Sequence, residues 1–195
     1  MTIIDLFNRA LGMIGHDREI PADDATATTP TTEYVRCNRE WDGARIAILS
    51  AHAWNWLVQE SPLTQGAEST DEYSDDLEYV YDRPDDIIRL VAVLDGTSRR
   101  VAYRTANGQI FTPAPEAKFR YLADSLVPDD WPAHVVDAVV AELAARIGLA
   151  MSANGKVVQA MKALQTNYLA LAIEHDATEQ NQAGTAGDRY VKSRR

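Results

Sequence analysis

Four histidines and one cysteine are the side chains best suited to hold a metal or drive nucleophilic attack: His16, His52, His134, His175 and Cys37. Their spacing argues against both. No histidine stands in an H-E-x-x-H or paired-cysteine context, so metal-ligand spacing is missing and no metal site is expected. Cys37 and His52 lie fifteen residues apart on one expected helix, about 22 Å at 1.5 Å per residue, too far for a nucleophile and its base. Cys37 is expected as a buried small hydrophobe, and a lone cysteine forms no internal bridge, which suits a reducing compartment.

Acidic residues crowd one stretch: Glu68, Asp71, Glu72, Asp75, Asp76, Glu78, Asp82, Asp85 and Asp86, against a lone Arg83. The stretch lacks the glycine-centred loop and closing glutamate of an EF-hand and reads as a solvated negative surface. A Gly-rich phosphate loop, a G-x-S-x-G elbow and a carboxylate pair in an acid–base setting are all missing. No catalytic residue, cofactor or enzymatic activity is therefore expected. The formal charge of −10, from 29 acidic against 19 basic residues, disfavours tight binding to nucleic acid, which needs Lys and Arg to neutralise phosphates.

The elements that must position these residues follow from periodicity. Ile3, Phe7, Leu11 and Ile14 share one face of a helix over 2–14 that stops at Gly15. A Pro-, Asp- and Thr-rich loop leads to an N-cap near Thr31 or Thr32, and Tyr34, Cys37, Trp41, Ala44, Ile48 and Ala51 mark a second helix to about residue 53. Between residues 77 and 123 the period changes: LEYVYDRP, DIIRLVAVL, RRVAYRT, GQIFTP and AKFRYLA read as five short strands separated by Asp-Gly, Asn-Gly and Pro-Ala-Pro turns. Helical spacing returns after Trp131, first through Val136, Val139, Leu143, Ile147 and Ala150. A second stripe, Val157, Met161, Leu164, Tyr168, Leu171 and His175, follows a turn near Gly155.

The expected fold is α+β: a four-helix bundle over 1–55 and 130–180, with a small antiparallel β-sheet region, 56–129, inserted between helices two and three. Residues 181–195, with Gly184 and Gly187, are expected as a flexible basic tail. Trp54, Asn55 and Trp56 stand where the chain leaves the bundle for the sheet. In an extended segment the two indoles share a face, and with Trp131 they are expected as interdomain core. The N-terminus lacks the pattern of a secretory signal, and no apolar run approaches the ~18 residues of a membrane span.

These stretches carry a resemblance. ALGMIGHDREI, EWDGARIAILSAHAWNW, YVYDRPDDIIRLVAV and DDWPAHVVDAVVAELAARIGLAM, in that order over residues 3–180, resemble the head-to-tail adaptor proteins of short-tailed bacteriophages, the tail tubular protein A family. That family places an aromatic-Asn-aromatic triplet after helix two, a tyrosine-rich strand before a Pro-Asp turn, and Trp-Pro at the next helix. Here those places hold Trp54–Asn55–Trp56, Tyr79–Tyr81–Pro84–Asp85 and Trp131–Pro132. The departure is the polar Asp82–Arg83 before the proline, where the family commonly has an apolar residue.

The resemblance implies a structural virion protein at the portal vertex of the tail. It would be made in the host cytoplasm and assembled as a homo-oligomeric ring, usually of twelve subunits, between portal protein and tail nozzle protein. DNA would pass through the ring without specific binding. On that reading Arg189, Tyr190, Lys192, Arg194 and Arg195 are candidate portal-docking residues, a basic end on an acidic chain; the plain alternative is a solvated terminus. Two other classes stand beside the connector: a regulatory protein-binding module and, less well supported by the residues, a small hydrolase.

Overall fold

The computed structural model describes residues 1–64, 77, 79–85, 87–151 and 154–191, with side chains described as far as Glu179. The chain divides into two units, Met1–His52 with Leu126–Arg195, and Ala53–Ser125.

The helical unit starts with a reciprocal cap. Thr2 Oγ1 accepts from the Asp5 backbone N–H at 3.2 Å, and the Asp5 carboxylate accepts from the Thr2 N–H. Two orphan donors at the start of α1 (Ile3–Met13) are thereby satisfied, and Gly15 at φ +76° ends it in a left-handed conformation that suits glycine. The loop that follows is tied down by side chains. Asn8 brackets Ile20, donating to its carbonyl and accepting from its N–H, while the buried Asp24 accepts from the Thr31 N–H and hydroxyl. Thr31 then caps α2 (Thr32–Leu49) by accepting from the Tyr34 N–H at 3.2 Å.

Helix α3 (Ala133–Gly148) follows Pro132, whose carbonyl accepts from the Val135 and Val136 N–H groups. Its buried residues Val135, Val136, Ala138, Val139, Val140, Ala141, Leu143, Ala144, Ala145, Ile147 and Gly148 take up almost its whole circumference. A helix apolar all round must be covered on every side, and α3 packs against α1, α2 and α4 (Gly155–Val191).

Among the described residues the second unit holds seven strands: β1 (Val58–Pro62), β2 (Tyr79–Asp82), β3 (Ile87–Leu94), β4 (Arg100–Val101), β5 (Arg104–Ala106), β6 (Gln109–Thr112) and β7 (Lys118–Ala123). They form two antiparallel sheets, ordered β1-β7-β3-β4 and β2-β6-β5. One apolar cluster draws on both, with Tyr81 and Ile110 from the smaller sheet and Ile87, Val93, Phe119 and Tyr121 from the larger. Asn107 (φ +52°) and Gly108 (φ +75°) make the tight turn between β5 and β6, as a two-residue hairpin with both central residues left-handed requires.

The chain is thus not a four-helix bundle carrying one small inserted sheet. Among the described residues it has two α-helices at each end and, between them, two sheets of four and three strands. Two features of the sequence hid this. RRVAYRT is not one strand: the chain breaks at Ala102–Tyr103 and changes sheets, held by the Thr112 hydroxyl on the Ala102 carbonyl at 3.1 Å. VQESP lacks apolar alternation, yet it pairs with β7 as an edge strand, where polar residues and a terminal proline are tolerated.

Residues 181–191, expected as the start of a flexible basic tail, continue helix α4 to Val191. Gly184 and Gly187 are weak helix formers, but a helix already nucleated by packing upstream propagates at little further cost per residue.

Leu143, fully buried at the centre of α3, provides the test of this arrangement. Leu143→Ala should cost about 2–5 kcal/mol in urea unfolding followed by far-ultraviolet circular dichroism; a loss below about 1 kcal/mol would mean that α3 is not the helix the others pack around.

Candidate functional site

The tryptophans singled out by the sequence fall in different units. Trp131 belongs to the helical unit, buried and stacked on Trp41 with ring centroids 6.0 Å apart and planes 13° from parallel. Trp41 in turn meets Phe7 edge-on at 5.6 Å. This aromatic line ties α1 and α2 to the segment just before α3.

Trp54–Asn55–Trp56 open the sheet unit, and they do not run extended. The Trp54 carbonyl accepts from both the Leu57 and Val58 N–H groups, at 3.0 and 2.9 Å, and so closes a single helical turn. In a turn the two indoles do not share a face: Trp54 is fully buried, Asn55 is exposed and Trp56 is half-buried. The Trp56 Nε1 is buried without a hydrogen-bond partner.

The proposed docking end falls at the close of α4. Arg189 and Tyr190 lie on its last helical residues, while Lys192, Arg194 and Arg195 lie outside the described residues. Of the acidic run, Glu68, Asp71, Glu72, Asp75, Asp76, Glu78 and Asp86 also lie outside them.

Three histidines dispersed in the sequence come together in the helical unit. His134, at the start of α3, stacks on His175 of α4 with centroids 3.9 Å apart and planes 11° from parallel. Beside them His52 Nε2 lies 3.1 Å from Oδ2 of the buried Asp176. Sequence reading missed this group because its members come from three segments that only the packing of α3 brings together. Among the described residues, no group of three or more His, Cys, Asp or Glu side chains could hold a metal ion.

Glu33, in the first turn of α2, is the centre of a second polar group. It faces His16 at 3.3 Å and Arg18 at 3.6 Å. Its carboxyl is held below the usual carboxylate range, chiefly by its own backbone N–H and further by His16 and Arg18, while burial opposes them. Burial pushes the Cys37 thiol up to about 12, which keeps it protonated and unreactive.

Among the described residues, the clefts large enough to hold small molecules include the following pair. One of about 450 Å³ in the sheet unit is lined by residues including Tyr81, Glu116 and Lys118. Its phenol is engaged, donating to the Ala114 carbonyl at 2.8 Å and accepting from the Ala117 N–H. The other, of about 250 Å³, lies beside Trp131, and its charged groups are matched as Arg9 with Asp137 and the Met1 amine with Asp129. What these arrangements offer chemically is ion pairing and apolar contact.

Compared with known proteins, the chain matches no protein-family model, and no curated protein matches it significantly. No helix among the described residues is long and apolar enough to cross a membrane.

Two outcomes follow from this geometry. Trp54→Ala should cost about 3–5 kcal/mol, whereas Trp56→Phe, which gives up an indole N–H that makes no bond, should cost under about 1 kcal/mol in the same melts. For Glu33 the sign is that of a lowered carboxyl: its contribution is complete above the unfolded value and is lost as the pH falls through the lower folded one. Glu33→Gln should therefore make the fall in melting temperature between about pH 5 and pH 3 shallower than in the parent chain. An unchanged slope would remove Glu33 as an acid-sensitive element.

Proposed function

We propose that this chain is a structural, non-enzymatic virion protein, a head-to-tail adaptor. Its copies, usually twelve in the family it resembles, would close into a ring between portal protein and tail nozzle and continue the DNA channel. The observation that carries the reading is the length of α4. His134, the second residue of α3, stacks on His175, so the part of α4 after Asp176 has run past the start of its antiparallel partner. Residues 177–191 add about 22 Å of helix at 1.5 Å per residue. That is an arm long enough to reach a neighbouring subunit or a docking surface.

The sequence puts Arg189, Tyr190, Lys192, Arg194 and Arg195 at the end of that arm, on a chain whose net charge is −10. Basic groups at the tip of an acidic body suit an acidic partner surface, with Tyr190 as the aromatic anchor. Twelve copies would carry about −120 formal charges, which disfavours adhesion of passing DNA phosphates to the channel protein.

Electron microscopy of the chain mixed with its portal protein tests the proposal. A closed ring on the narrow end of the portal is the expected result, and portals left bare at micromolar concentrations of both proteins would overturn it. Deletion of residues 184–195 should leave the melting temperature nearly unchanged and strongly weaken attachment, with the charge-neutral variant at Arg189, Lys192, Arg194 and Arg195 intermediate. If truncated protein decorates portals as well as the full chain does, docking does not use the arm.

A further inference from the structure

Helix α2 hides Cys37, Trp41, Ala44 and Ile48 on one side and leaves an apolar-and-charged seam on the other, bordered at its C-terminal end by the buried Leu49. Val35 and Ile46 are 51% and 40% exposed, and the side chains of Arg39 and Asp42 are 71% and 73% exposed. These four positions advance by four, three and four residues, which at 100° per residue confines them to an arc of about 60°. Such a 4-3-4 stripe is the spacing by which one helix seats against another. Among the described residues of the helical unit, no element occupies it.

The order of residues along the seam names its occupant. Val35 and Ile46 are equidistant from the middle of the helix, between Glu40 and Trp41, and so are Arg39 and Asp42. Turned end for end, the stripe is its own complement. An antiparallel copy lays Val35 against Ile46 and Arg39 against Asp42, twice over, as a two-fold interface requires. A parallel copy sets Arg39 against Arg39 and Asp42 against Asp42.

We propose that a second copy of this chain docks on this face, α2 against α2, antiparallel about a two-fold axis between Glu40 and Trp41. Both charges already have a companion within their own helix, Arg39 with Glu40 at 3.5 Å and Asp42 with Arg45 at 3.2 Å. Facing across the axis they extend these into one alternating network, with the two apolar ends closing over it. A single helix pair covers less than the ~1,200 Å² of a standard stable interface, so the dimer is weak and forms at tens of micromolar or above, by order of magnitude. A two-fold contact uses each seam once and closes at two copies. It is therefore distinct from the head-to-tail contacts of the proposed ring and holds whether or not that ring exists.

Sedimentation equilibrium of the full chain, at about 0.15 M salt, reads the proposal directly. The parent chain should show a monomer–dimer equilibrium. Arg39→Asp alone and Asp42→Arg alone each place like charges opposite one another, and each should weaken dimerisation by about tenfold or more. Mixing those two variants matches an acidic seam to a basic one and should restore the dimer as a heterodimer, as should the double swap in one chain.

Because Asp42 also partners the buried Arg45, an independent readout avoids charge altogether. Under mild oxidation Val35→Cys should cross-link to Ile46→Cys when the two variants are mixed, while neither cross-links to itself, and Cys37 is buried out of reach. A parent chain that stays monomeric to several hundred micromolar, a dimer indifferent to Arg39→Asp, or cross-linking of Val35→Cys to itself would each overturn the proposal.

Discussion

Everything in the helical unit depends on covering α3. A helix with valine, alanine, leucine and isoleucine around nearly its full circumference cannot face water on any side. The small residues Ala138, Ala141, Ala144 and Ala145, all buried, let neighbouring helices approach closely, so α1, α2 and α4 each contribute one apolar face to it. The secondary contacts follow from that placement. The Trp131–Trp41–Phe7 line fills the entry to α3, Arg9 reaches Asp137, and the His134–His175 stack arises where α3 begins and α4 passes it.

That dependence is non-local, because α1 and α2 precede the sheet unit and α3 follows it. Closing so long a loop carries an entropic cost that local strand pairing within the intervening residues reduces. The first and last strands of the sheet unit are paired, with Val58 opposite Leu122 and Pro62 opposite Lys118. The chain consequently leaves that unit beside the place where it entered. The polar VQESP segment, unremarkable as a sequence, has this topological role through its backbone hydrogen bonds, which do not depend on side-chain pattern.

The same contrast explains what could be read from the sequence. Local signals were legible: the cap at Thr31, the stop at Gly15 and the Asn107–Gly108 turn each rest on one or two residues acting on their own backbone. What depends on distant partners was not. The edge strand β1, the break of RRVAYRT between two sheets and the convergence of His52, His134 and His175 are settled by tertiary neighbours. At Trp54–Trp56 the alternation rule was applied to backbone that curls into a turn, so one indole became fully buried and the other half-buried with its N–H unpaired. The exposed seam of α2 was present in the sequence as well. It could not be told from an ordinary solvated face until the buried side of the helix was known.

Helix α4 shows how a core constraint becomes a property of the surface. Its first part is fixed against α3, and the His175–Asp176 step, where His134 and His52 make their contacts, is the last described hold on its side chains. Beyond it the backbone stays helical to Val191, and a helix keeps its direction because each residue's hydrogen bond restrains the next. The orientation set by packing around α3 is thereby carried some 22 Å to the end of the helix. A segment ordered in this way loses less conformational entropy on meeting a partner than a free tail would. Binding groups at the end of such an arm, as proposed above, would have an affinity that depends on the direction in which α3 holds it, as well as on their charge.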